Sequence, residues 1–322
     1  LPVGVKGHDY VGSFDGQNYK ISNLYVNKPG ENYTGLFGKA WGAKELENVI
    51  FENVEIIGSD QTGVLTGQFV GSAISNVQLL NYQVNGNQFV GGIVGYSYTN
   101  MYSCNGENGV VVANDQDAGG LMGFNGEGNY QVKNCTVKNV EVESRFWDCG
   151  GIIGSANSNI VLQNCKSEGG KVSVRFKQNY GQILGRVTNA GASTIYNCTS
   201  DTPLFAYNSS TGMEERLEDI LVGGNQDYIK TLTVYNENNE TPYATIQEAI
   251  DKANSGDTIK IGAGTYDEAI TLTKAVNLIG PYADTEIKAE EATTDNRPDE
   301  SEAILTGGIN ITRPDKDSSE SI

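Results

Sequence analysis

The stretch Phe89-Val90-Gly91-Gly92-Ile93-Val94-Gly95 decides the fold, because relatives of it recur along the chain at a nearly fixed step. Gly35-Leu36-Phe37-Gly38, Gly120-Leu121-Met122-Gly123 and Gly151-Ile152-Ile153-Gly154 share its form: glycine, two large apolar residues, glycine. Gly63-Val64-Leu65-Thr66-Gly67 and Gly181-Gln182-Ile183-Leu184-Gly185 are degenerate copies, so the closing glycines fall at 38, 67, 95, 123, 154 and 185, with steps of 28 to 31. A second landmark keeps the same step about ten residues further on, in Asn48-Val49, Asn76-Val77, Asn134-Cys135, Asn164-Cys165 and Asn197-Cys198. Ser103-Cys104 takes the corresponding place in its unit, and Asn23-Leu24 reads as a first, partial unit. Two landmarks in register at such a period define an array in which one repeat cannot bury its apolar face alone and stacking supplies the core.

Within each unit the apolar residues alternate with period two, and Gly, Asn and Asp mark the turns, so each unit holds about three short strands. Three strands per 28 to 31 residues fit one coil of a parallel β-helix. A propeller blade needs four strands, and the Leu-x-x-Leu-x-Leu pattern of leucine-rich repeats is missing. The expected fold is therefore all-β, a β-solenoid of about six to seven coils over 1–208, with lead-in strands around Asp15-Gly16. One inward stack should hold Leu36, Val64, Ile93, Leu121, Ile152 and Ile183, and another Val49, Val77, Cys104, Cys135, Cys165 and Cys198. Glycine permits sharp bends and close coil approach. Stacked Asn side chains can hydrogen-bond to one another and to turn backbone.

These repeats resemble the GLUG-motif family, which Gly35-Leu36-Phe37-Gly38 and Gly120-Leu121-Met122-Gly123 match well and the other copies loosely. The resemblance implies an extracellular bacterial protein, often an adhesin or large surface protein, and supplies no catalytic residues. At Thr66 and Gln182, where a glycine is replaced, it leaves the turn geometry open.

Net charge is −18 with a pI near 4.4, which argues against nucleic acid as a partner, since phosphate binding needs clustered Lys and Arg. A solvated anionic surface accounts for that charge more simply than a cation site does. No run of eighteen apolar residues is present, so nothing in the sequence spans a membrane. The chain opens without a basic and apolar leader, as expected of a mature or trimmed start. Four of the five cysteines occupy one repeat position where Val49 and Val77 stand earlier, which marks a small buried hydrophobe. Parallel side chains on coils about 4.8 Å apart suit disulfides poorly, so a stack of free thiols is expected. With one histidine and no Cys-x-x-Cys spacing, no metal site and no cofactor are expected.

The repeat stops at 209–230, which reads as a junction in which Met213 to Leu221 could form a short helix. The third segment, 231–322, opens with a helix at 245–254: Thr245 and Glu248 form a capping box, Ile246, Ala249, Ile250 and Ala253 make one apolar face, and Gly256 ends it. Strands follow at 258–261, 269–272 and 276–280, then an acidic excursion over 290–302, a further coil at 303–311 and a polar tail over 315–322. Ala244 to Gly280 is similar to the N-terminal cap and first coils of pectate lyase-like right-handed β-helix proteins, a resemblance implying that the helix closes the open end of a second, incomplete β-helix. The chain then reads as a fragment of a longer protein or as a minimal C-terminal module.

No catalytic residues are assigned. Asp115 with Asp117 and Asp267 with Glu268 are close acidic pairs, each better read as solvated turn carboxylates, and His8 reads as a surface residue. The candidate ligand-binding residues are Arg145, Phe146, Trp147, Arg175 and Phe176, which repeat at similar register, and the cluster Tyr96, Tyr98 and Tyr102. Coil stacking would bring the two Arg-Phe pairs together as an aromatic and cationic strip for a sugar or a peptide. A plain covering of the strand surface is the competing reading. The sequence thus favours a secreted or cell-surface structural and binding protein, an adhesin component whose partner is a polysaccharide or a host surface protein. The alternative is the non-catalytic front part of a carbohydrate-active β-helix enzyme.

Overall fold

The computed structural model describes residues 2–4, 7–157, 159–188, 193–208, 211–224, 228–281 and 303–311. The acidic excursion at 290–302, apart from its neighbours, and the polar tail at 315–322 lie outside the described residues. Two compact units divide the chain, Leu1–Lys230 and Thr231–Ile322.

The first unit is a parallel β-solenoid of about six turns. Phe37, Thr66, Val94, Met122, Ile153, Leu184 and Val222 occupy successive rungs of one column. The step between rungs stays at 28 to 31 residues until the last, which lengthens to 38. The coils bend through left-handed residues at up to three places. One bend is at Tyr33, Gln61, Phe89, Asp117, Asp148 and Asn179, a second at Asn48, Asn76, Ser103, Asn134, Asn164 and Asn197, and a third at Asn53, Asn81, Asn108 and Asn139. Asn tolerates this backbone region better than other non-glycine residues, which is why it fills two of the three bends. The first two full coils run through two bends without a break in pairing, as the 21-residue strands Phe37–Ile57 and Thr66–Gly86.

Asn23 belongs to the third bend and not to the second, since Tyr19 pairs with Val49 and Tyr25 with Glu55. Asn18 is the lead-in counterpart of Asn48, and its amide oxygen accepts from Asn76 Nδ2 at 2.8 Å.

The Gly-x-x-Gly segments turn two consecutive apolar residues into the core. Ile93, Leu121, Ile152 and Ile183 are fully buried in one stack, and so are their neighbours Val94, Met122, Ile153 and Leu184. In the expected stack Val64 is fully buried and its carbonyl accepts from the Leu36 amide at 2.9 Å, but Leu65 takes over the rung toward Ile93. The Leu65 amide donates to Ile93 O at 3.0 Å, as Ile93 does to Leu121 O and Leu121 to Ile152 O. The copy Gly63 to Gly67 is one residue longer, so Thr66 falls where Phe37 and Val94 stand, and its buried hydroxyl donates to Gln68 O at 2.9 Å. Gln182 is likewise buried and donates to Thr202 O at 2.8 Å. Leu36, in the first full coil, is only half-buried. A closing glycine is required where coils touch backbone to backbone: a Cβ on Gly95 would lie 2.4 Å from the Thr62 nitrogen.

The second stack is buried throughout, from Val49 and Val77 to Cys104, Cys135, Cys165 and Cys198, and all five cysteines are free. Burial pushes the thiols of Cys135 and Cys149 up, so these are packing groups and not nucleophiles.

The expected helix at 213–221 is corrected to a hairpin. Met213–Arg216 pairs antiparallel with Leu204–Asn208, and the Ile183 amide donates to Leu221 O, placing a last partial coil on the stack. The strand ladder left open by Leu204–Asn208 outcompetes local helical propensity in this short, cap-poor segment.

In the second unit the helix spans Ile246–Lys252, shorter than expected. Thr245 Oγ1 accepts from the Glu248 amide at 3.0 Å, and Ile246, Ala249 and Ile250 are buried against Val234, Tyr243, Ile259 and Ile270. Ala253 is already extended, so Gly256, at φ +93°, serves the following turn and not the helix end. Thr258–Ile261 pairs parallel with Asn277–Ile279, Gly264–Tyr266 with Ala303–Leu305, and Ile270–Leu272 with Ile309–Ile311. Val234–Asn236 pairs antiparallel with Thr258–Ile261.

Candidate binding face

Register brings the two Arg-Phe pairs onto adjacent coils. Ser144 pairs with Val174, the Arg175 amide donates to Ser144 O at 3.1 Å, and the Phe176 amide donates to Phe146 O at 3.3 Å. The Phe146 and Phe176 rings stand 5.8 Å apart, and Trp147 meets Phe146 edge-on at 5.8 Å. All three stay open to solvent, Phe146 and Trp147 at 37% and Phe176 at 46%. Trp147 Nε1 donates to Gln116 Oε1, which fixes the indole on the coil below.

The arginines differ in their partners. Arg145 Nε lies 3.3 Å from Glu143 Oε1, whereas the Arg175 guanidinium rests over the Phe176 ring, 5.9 Å from its centroid. Beside them is a cleft of about 310 Å³ walled by Glu143, Arg145, Ser173, Arg175, Tyr207 and Glu214. Glu214 is held by Lys171 Nζ at 3.0 Å and by Ser173 Oγ at 2.9 Å. Nothing in the repeat pattern singles out Glu214, because it arrives on the hairpin strand, and Tyr207 joins the site only through the pairing of Val174 with Ala206.

The tyrosines form a different group. Tyr96 stacks on Phe124 at 4.9 Å, meets Phe89 edge-on at 5.2 Å and shares a 2.8 Å hydrogen bond between hydroxyls with Tyr98. Burial, and then that hydrogen bond, raise the Tyr96 hydroxyl above the usual phenol range. Tyr102 stands apart in its partners, donating to Gln131 Oε1 at 3.3 Å. Phe89 lies seven residues before Tyr96 on the same coil and meets it across the bend, whereas Phe124 is joined to Tyr96 only by coil register.

Asp117 overturns the reading of Asp115 and Asp117 as solvated turn carboxylates. It is 1% exposed, accepts from Ser155 Oγ, and faces a column in which Phe124 pairs with Ser155 and Ser155 with Arg186. Asp148, one coil on and also buried, lies 2.6 Å from Arg186 Nη2. Burial, and then the Asp148 carboxylate, push Asp117 up to about 7, while burial opposed by Arg186 and Asn179 leaves Asp148 at about 6. The other acidic pair is structural: Glu268 accepts from the Ile246 and Gln247 amides at 2.8 and 3.0 Å, satisfying the helix start, and Asp267 accepts from Thr306 Oγ1. His8 is exposed. Among the described residues no group of three or more His, Cys, Asp or Glu is placed to hold a metal ion, and no helix is long and apolar enough to cross a membrane.

No family model matches the chain. Halomucin of Haloquadratum walsbyi is 36% identical over 91 residues, a stretch that covers 28% of this chain and about 1% of halomucin. A crystal structure of a putative immunoglobulin A1 protease from Bacteroides ovatus superposes with a TM-score of 0.50 at 18% identity, covering 71% of this chain and 76% of that one. At that identity the likeness shows the β-solenoid fold and nothing of activity.

Proposed function

We propose that this chain is a secreted or cell-surface structural and binding module, of the kind found in adhesins, whose first unit presents a glycan-binding face. The observation that carries this reading is the strip Phe146, Trp147 and Phe176, three solvent-open rings on two adjacent coils of a regularly paired scaffold. Aromatic rings exposed on an ordered scaffold can stack on the apolar faces of sugars and lose little conformational entropy on binding. The partial similarity to halomucin, by name a mucin, supports a place outside the cell. The Gly-x-x-Gly repeats are best read as GLUG-type coils, and the helix with its following parallel pairs as the capped start of a second β-helix.

That second assignment keeps the alternative in view, the non-catalytic front part of a carbohydrate-active β-helix enzyme. A glycan array followed by product analysis separates the two. Retention of intact glycan, lost when Phe146→Ala and Phe176→Ala are combined, supports the binding module. Released oligosaccharide product favours the enzyme, and no retention on any glycan sinks the glycan reading.

A further inference from the structure

We infer that the cleft between Arg145 and Arg175 recognises an anionic substituent, carboxylate or sulfate, on a glycan whose rings lie along Phe146 and Phe176. The inference rests on the glycan reading above and names its ligand class. Acidic residues outnumber basic ones by 40 to 22 in this chain, so two arginines on adjacent rungs are locally against the trend. The two cleft glutamates do not cancel them both. Glu214 is engaged by Lys171 and Ser173, and Glu143 by Arg145 Nε, which leaves the Arg175 guanidinium with an aromatic ring as its neighbour and no ion pair among the described residues. A planar guanidinium held over a ring keeps its outer N–H donors free for bidentate contact with a carboxylate or sulfate. Tyr207, 44% exposed and one rung beyond Arg175 in the same strand register, adds a neutral hydroxyl suited to sugar oxygen. Charge and stacking surface therefore meet in one place, with rings 5.8 Å apart to seat successive residues of a linear polymer.

The test is titration calorimetry on the full chain with four probes: a uronic acid hexasaccharide, its sulfated neutral-sugar counterpart, the unsubstituted neutral hexasaccharide and a short poly-glutamate peptide. The expected result is that at least one anionic sugar binds about tenfold or more tightly than the neutral one, weakens with added salt, and loses that advantage in Arg175→Gln and in Arg145→Gln with Arg175→Gln. The ratio of the two anionic sugars then tells carboxylate from sulfate. Equal binding of neutral and anionic sugars, unchanged in Arg175→Gln, overturns the anion assignment and leaves the glycan reading standing. Poly-glutamate binding as well as the sugars, insensitive to Phe176→Ala, overturns the glycan part. Silence from all four probes overturns both. Arg175 is exposed, so an unaltered melting curve of the variants confirms that lost binding is not lost fold.

Discussion

Asp117 shows how much one side chain can carry. Its carboxyl is buried in a left-handed bend beside Asp148 and Ser155, with Arg186 and Asp115 the other charged groups acting on it, and it is raised from the ordinary 3.8 to about 7. A raised carboxyl means that the folded state holds its proton more tightly than the unfolded one. The stabilisation is therefore complete below the ordinary value and is lost as pH rises through about 7. The unfolding free energy should fall by about 2–3 kcal/mol for this group between about pH 5 and pH 7, at about 1.4 kcal/mol per pH unit, and level off above that. Asp117→Asn, which keeps a partner for Ser155, should flatten most of that slope, with Asp148 supplying a smaller remainder. A variant with the wild-type slope would show that Asp117 ionises freely. None of this was legible locally, because Asp-x-Asp in a polar stretch looks like any turn, and only coil register sets Ser155 and Arg186 against it.

The asparagine columns are the element that the sequence displayed best and still only in part. In the second bend Asn76 Nδ2 donates to Asn48 Oδ1 at 2.9 Å, Asn164 to Asn134 at 3.0 Å and Asn197 to Asn164 at 2.9 Å, always from one coil back to the one before. Ser103 interrupts the run with the same left-handed backbone, φ 53°. Ser103→Asn should donate to Asn76 Oδ1 and accept from Asn134 Nδ2, adding two hydrogen bonds at about 0.5–1.5 kcal/mol each and relieving a serine from a bend that asparagine prefers. A thermal melt should shift upward, and an unchanged midpoint would mean that the ladder bonds merely replace water. The third bend carries a weaker ladder, Asn81 to Asn53 at 3.3 Å and Asn108 to Asn81 at 3.4 Å. It too was readable, as an asparagine five residues after the first in three units.

For the molecule as a whole, we expect the two units to respond separately. Ile246 and Ile250 are buried in the second unit's own core, among Val234, Tyr243, Ile259 and Ile270. Combining Ile246→Asp and Ile250→Asp places two unpaired charges there, and should lower that unit's melting transition and expose strand edges that self-associate. Sedimentation at several concentrations with a two-transition melt reads both effects, and a monomer with an unchanged profile would remove the helix from any closing role. What the sequence alone determined is the periodic part of this protein: the solenoid, its step, the buried aliphatic and thiol columns and the bends. Each coil touches chiefly its two neighbours, so the same packing problem recurs every 28 to 31 residues and leaves the same residues behind. What only the tertiary structure decided lies where the period slips or where unlike positions meet. The extra residue that puts Thr66 on the rung, the hairpin that brings Glu214 beside Arg175, and the burial of Asp117 all depend on which residue stacks on which. That alignment is fixed by closure of the backbone ladder between coils, and no repeated residue records it.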